Sequence, residues 1–345
     1  VSRRDFLGQG LIAGLGMAMT PSLLSLLSPA RANAQVAGCA TAIGGSGMIP
    51  FMCFDLAGGA SIAGSNVIVG GAGGQFDPLA DEGYEKLGLP IGMFPTDPAQ
   101  VDTELGIAFH ADSAMLRGIR SRASAGTLAN TNGSVLCVRS ENDTGNNPHN
   151  PMFGVNKAGL DGDLTTLIGT RSSDSGGRSG APMSMYDPSV RPTRVSRPSE
   201  ARSLVDSGSL SDLLNNQEAV AVMQTAQGLS ALKVADLAAD QALQDLVNCG
   251  YEQSTDLVNR YGDPAVLDPT LDPEIVGQAG SIFTQQELDQ SSSLRGTASV
   301  MKLVLNGYAG AGTVESGGYD YHDSTRATGE IADFRAGVMI GATLE

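Results

Sequence analysis

Met48-Ile49-Pro50-Phe51-Met52-Cys53-Phe54 closes at Asp55 and opens into Leu56-Ala57-Gly58-Gly59-Ala60-Ser61. The fold class follows from these residues. A short continuous apolar run, without polar alternation, predicts a strand buried on both faces, as in a parallel sheet. Asp55 then stands at the strand's carboxyl end before a glycine loop, the place where open α/β sheets bind ligands. Ser134-Val135-Leu136-Cys137-Val138 has the same buried character and runs into the polar loop Arg139–His149. Asn66-Val67-Ile68-Val69, set between glycines, reads as a second strand or a glycine-rich turn.

Helical spacing separates these runs. Ile107, Met115, Leu116 and Ile119 predict a helix within Gly106–Arg122, and Ser209–Arg260 repeats apolar residues at three and four. Gly262-Asp263-Pro264 breaks that pattern, and Thr284-Gln285-Gln286-Glu287 is a capping box that opens a further helix. Gly296–Leu305 is helical up to the stop Asn306-Gly307, and Phe334–Leu344 begins another helix. Residues 171–200 form a Ser-, Gly-, Pro- and Arg-rich excursion with a short edge strand at Arg191–Val195. Alternating strands and helices predict an α/β fold: a layered, mostly parallel sheet with helices on both faces. Residues 35–345 are expected to form one such domain, with a helical region around 209–307.

The amino terminus carries an address. Ser2-Arg3-Arg4-Asp5-Phe6-Leu7 has the twin-arginine pattern, Gly8–Leu27 is moderately apolar, and Ala32-Asn33-Ala34 is a small-x-small cleavage site before Gln35. Residues 1–34 are thus expected to be a signal read by the twin-arginine translocase, with the mature protein periplasmic or secreted. That route carries folded proteins, often with a cofactor already in place. No apolar stretch after residue 34 is long enough to span a bilayer. The formal charge of −16 argues against nucleic acid as a partner, because phosphate contacts need clustered Lys and Arg. Cys39, Cys53, Cys137 and Cys249 lack C-x-x-C spacing; Cys53 and Cys137 read as core residues, and pairing of Cys39 with Cys249 is left open. The chain opens at Val1 and stops inside a helix without a C-cap signal, so it is expected to be a fragment, an alternative start codon being the other reading of Val1.

Three places carry chemistry. Asp320-Tyr321-His322 follows Gly317-Gly318-Tyr319, and in a strand Asp320 and His322 would share a face, suited to one divalent cation of zinc, manganese or calcium. Asp55 suits a cation ligand, or a helix cap or turn. The loop Ser140–His149 offers the hydroxyls of Ser140 and Thr144 as nucleophiles for activation by a metal or base, and the imidazole of His149 as a further ligand; its other reading is a loop of Asx turns. His110 is read as a packed or surface residue. No Gly-Lys-Ser/Thr phosphate loop and no G-x-S-x-G elbow is present.

The twin-arginine leader, Phe54-Asp55-Leu56-Ala57-Gly58-Gly59 and Gly317-Gly318-Tyr319-Asp320-Tyr321-His322 together resemble the bacterial family called domain of unknown function 1501, grouped with the alkaline-phosphatase-like superfamily. The resemblance implies a central sheet with a metal site at the strands' carboxyl ends. Asp55 would be the first-strand ligand, Asp320 and His322 later ligands, and Thr144 or Ser140 the nucleophile. The implied chemistry is in-line displacement on a small anionic phosphate or sulfate ester. The superfamily's further Asp-His pair and last His would lie beyond Glu345. The other function this fold admits is a non-catalytic periplasmic protein: structural, polysaccharide-binding, or accessory to secretion.

Overall fold

The computed structural model describes residues 48–136, 150–170, 190, 192–205, 214–236, 241–277, 280–319 and 326–345. In chain order the strands are β1 (Met52–Leu56), β2 (Gly70–Gly71), β3 (Gly74–Pro78), β4 (Val101–Asp102), β5 (Phe109–His110), β6 (Thr165–Gly169), β7 (Thr193–Arg194) and β8 (Ala309–Ser316). The helices are α1 (Asp81–Lys86), α2 (Ala114–Arg120), α3 (Ala125–Ala129), α4 (Met152–Lys157), α5 (Pro198–Arg202), α6 (Asn216–Asp236), α7 (Gln241–Tyr261), α8 (Pro264–Leu267), α9 (Gln285–Gln290), α10 (Ser292–Leu305) and α11 (Arg326–Leu344). The chain divides into two compact units, Gly47–Arg197 with Pro273–Glu345, and Pro198–Asp272.

The larger unit is an α/β fold around a four-stranded sheet of order β1-β8-β6-β7. Every ladder in it is parallel. Helices cover both faces. On one, α10 lies directly on β8: a Cβ built on Gly312 would sit 2.6 Å from Val300 and 2.7 Å from Val304, so only glycine admits the helix. On the other, Met152 and Phe153 of α4 pack with Leu167 and Ala311, and Phe51 joins them. Alternation along the strands therefore turns Met52 and Gly312 to α10, and Cys53, Asp55, Thr313 and Glu315 to α4.

Local chemistry sets the helix ends. Ser113 caps α2 by accepting from the Leu116 N–H at 3.1 Å. That cap corrects the expected helix of Gly106–Arg122. Gly106 turns with positive φ, Phe109–His110 pairs with Val101–Asp102, and α2 begins only at Ala114. The capping box at Thr284 forms as expected. Val67 makes single bridges to Ala63 and Phe109. Ser134–Leu136, read as the start of a buried strand, has no ladder, and Leu136 is 53 % exposed. Its expected neighbours, 137 and 138, lie outside the described residues.

Arg122, just past α2, forms an ion pair with Glu287 of α9. The Arg122 hydrogen bond, opposed by partial burial and reinforced by the Thr284 N–H, holds the Glu287 carboxyl down to about 2. A carboxylate whose pKa is lower folded than unfolded stabilises above the unfolded value and loses that contribution as pH falls towards the folded one. Glu287→Gln is therefore expected to flatten the decline of stability between about pH 5 and pH 2. At neutral pH the substitution costs about 1 kcal/mol, since the pair is partly solvated. Urea midpoints across that range check this; parallel curves for both proteins would refute it.

The smaller unit is helical. α6 and α7 run antiparallel, with Ala219 and Met223 against Val258, and the Ser230 hydroxyl donating to Tyr251 Oη at 2.8 Å. Asp263 caps α8 through the Ala265 N–H at 2.9 Å. Buried Asp268 accepts from Thr270 N–H and Oγ1, at 2.9 and 2.6 Å, and pairs with Arg202 at 3.5 Å. Cys249 of α7 is disulfide-bonded, and its partner lies outside the described residues.

Candidate functional site

The carboxyl edge of the parallel sheet is built by β1 and β8. The parallel ladder sets Cys53 beside Thr313 and, one pleat further on, Asp55 beside Glu315. These four share the face towards α4. Two carboxylates thus stand side by side where the strands end. Glu315 was not singled out in the sequence, because its partner Asp55 lies far away in the chain and only the ladder register joins them. The Glu315 backbone is held by its N–H donating to Thr170 Oγ1 at 2.9 Å.

Cys53 is a free thiol below this edge. Burial pushes it up to about 12, with the negative charge of Asp55 adding to the effect and the Thr313 hydrogen bond opposing it. It therefore stays protonated at neutral pH, which makes it a poor nucleophile. The oxygen donors Asp55 and Glu315 suit a hard or borderline divalent cation better than a soft one.

After β1 the chain turns through Ala57, whose N–H donates to the Ser316 carbonyl at 2.8 Å. Gly58 and Gly59 follow with φ of 102° and 92°. A Cβ on Gly58 would lie 3.5 Å from the Tyr319 nitrogen, so the 317–319 segment runs against the glycine loop. Tyr319 is itself buried, with its hydroxyl donating to the Ala332 carbonyl of α11 at 3.2 Å. Burial, reinforced by the charge of Asp333, raises the Tyr319 phenol above its ordinary range, so it remains a neutral donor.

Of the residues singled out from the sequence, Asp55 stands at this edge. Ser140, Thr144, His149, Asp320 and His322 lie outside the described residues. Their flanks are described: Asn150 bonds Thr313 Oγ1 at 3.0 Å, and Tyr319 lies against the glycine loop. Among the described residues no three His, Cys, Asp or Glu side chains cluster as a metal site.

His110 is buried in the fold rather than exposed at this edge. Its Nδ1 accepts from the Asp112 N–H at 3.0 Å, which leaves Nε2 to donate to the Met93 carbonyl at 2.9 Å. Both ring nitrogens therefore serve the backbone, a structural role. No helix of the described residues is long and apolar enough to cross a membrane. No family model, curated protein or solved structure matches the chain.

Proposed function

We propose that this chain is an exported, metal-dependent phosphate- or sulfate-ester hydrolase-like protein of the alkaline-phosphatase-like kind, related to the family called domain of unknown function 1501. The observation that carries the reading is the Asp55–Glu315 pair at the carboxyl edge of a parallel sheet. The close approach of Tyr319 to the Gly58–Gly59 loop supports it, because the residues that follow Tyr319 in sequence include Asp320 and His322. In this reading Asp55 and Glu315, with Asp320, His322 and His149, hold a divalent cation of zinc, manganese or calcium. The hydroxyl of Thr144 or Ser140 would lose its proton to a base and attack the ester's phosphorus or sulfur in line, breaking the bond to the alcohol oxygen, which leaves and takes up a proton. The cation, when bound, supplies charge stabilisation at the ester oxygens and lowers the pKa of a coordinated hydroxyl. The two glycines let the backbone at Tyr319 come close to the loop that follows Asp55. Residues 1–34 direct the folded protein through the twin-arginine translocase to the periplasm or beyond.

The test is elemental analysis of the full-length exported protein, purified without chelators. Near-stoichiometric zinc, manganese or calcium is expected, lost in Asp55→Asn together with hydrolysis of aryl phosphate or aryl sulfate. A folded protein that carries no metal and takes up none when it is added would refute the hydrolase reading and favour a non-catalytic role on this fold.

A further inference from the structure

We infer that Asn150 and Thr313 are positioning residues for the carboxylate edge, an inference that rests on the metal site proposed above. Both side chains are buried, each 6 % exposed. Asn150 Nδ2 donates to Thr313 Oγ1 at 3.0 Å, and its Oδ1 accepts from the Met152 N–H at 3.0 Å, at the start of α4. The Thr313 hydroxyl donates to Met152 Sδ at 2.9 Å and also engages Cys53. Thr313 and Cys53 are ladder partners, one pleat before Glu315 and Asp55 on the same face. The hydrogen-bonded layer Cys53–Thr313–Asn150 is thus the floor beneath the carboxylate pair.

A buried amide and hydroxyl have defined orientations because each must keep its bonds. Here those bonds tie the start of α4 to the two strands that carry Asp55 and Glu315. Carboxylates that bind a cation need such fixed surroundings, and removal of an orienting neighbour typically lowers metal affinity about 10–100-fold. Asn150 and Thr313 touch neither cation nor ester; they act through the strands.

Zinc ion alone, titrated into the metal-stripped full-length protein, tests this. Thr313→Val keeps the shape, removes the hydroxyl and is expected to weaken zinc binding about 10–100-fold in protein that remains folded. Thr313→Ser retains the hydroxyl and is expected to restore wild-type affinity. Should Thr313→Val fail to fold, Asn150→Ser decides in its place: it is too short to reach Thr313, and the same loss is expected. Wild-type zinc affinity in a folded variant would overturn the positioning role and leave the metal site standing. A wild-type protein that binds no zinc, and no manganese or calcium in parallel titrations, would overturn the metal site, and this inference with it.

Discussion

Gly337→Ala is expected to lose about 3 kcal/mol in urea unfolding, at the upper end of the cost of overpacking. α2 and α11 meet through their backbones at Gly118 and Gly337. A Cβ on Gly337 would lie 2.0 Å from the Met115 carbonyl oxygen, and one on Gly118 would lie 2.2 Å from the Phe334 oxygen. Gly341 repeats the approach one turn later, its built Cβ 2.4 Å from the Ile119 oxygen. Each obstacle is main chain, which cannot rotate away as a side-chain tip can. The helices must separate, and the surrounding buried residues Met115, Ile119 and Met339 lose contact with them. In a solvated helix interior the same change would be stabilising, by helix propensity. The sign of the effect therefore separates the two cases. An unchanged or raised urea midpoint would show that the helices do not meet this closely.

Asn66→Ala is expected to cost a similar amount, about 3 kcal/mol, through unsatisfied polar groups rather than bulk. Asn66 is 1 % exposed. Its Oδ1 accepts from Ser113 Oγ at 2.8 Å and from the Met115 N–H at 3.2 Å, while Nδ2 donates to Asp333 Oδ2 at 2.9 Å. One amide thus joins the loop after β1 to the first turn of α2 and to α11. Alanine strips a donor from a buried carboxylate and an acceptor from an open helix terminus. Asn66→Asp should be worse still, because it sets a second carboxylate against Asp333. Urea midpoints of the two variants check the order; an Asn66→Asp variant as stable as the wild type would refute it.

These two contacts lie beyond what the linear chain displays. Asn66 reads as one polar residue in a glycine-rich stretch, and its partners Ser113 and Asp333 are remote in sequence. The core strand β6 was equally hidden. Thr165-Thr166-Leu167-Ile168-Gly169 contains only two large apolar residues, too few for a buried-run signal. Ser134–Leu136 carried the apolar signal and joined no ladder. β8 is hidden for another reason. Ala309-Gly310-Ala311-Gly312 has low strand propensity, yet it lies in an interior strand because small residues let α10 and the chain near Asp161 close on it.

The α/β class, a first strand through Asp55, the edge strand near Thr193, the capping box at Thr284, and helices within 209–260, at 296–305 and from Phe334 to Leu344 are legible in the chain alone, although α10 starts earlier, at Ser292, and α11 earlier, at Arg326. Those features are local: apolar period, cap chemistry and glycine or proline stops act within a few residues. Which strand lies beside β1, the placing of Glu315 next to Asp55 and the hydrogen bond from Asn150 to Thr313 arise from long-range packing. Ladder register and close packing join residues far apart in the chain, and no pattern in either segment alone encodes such a pairing.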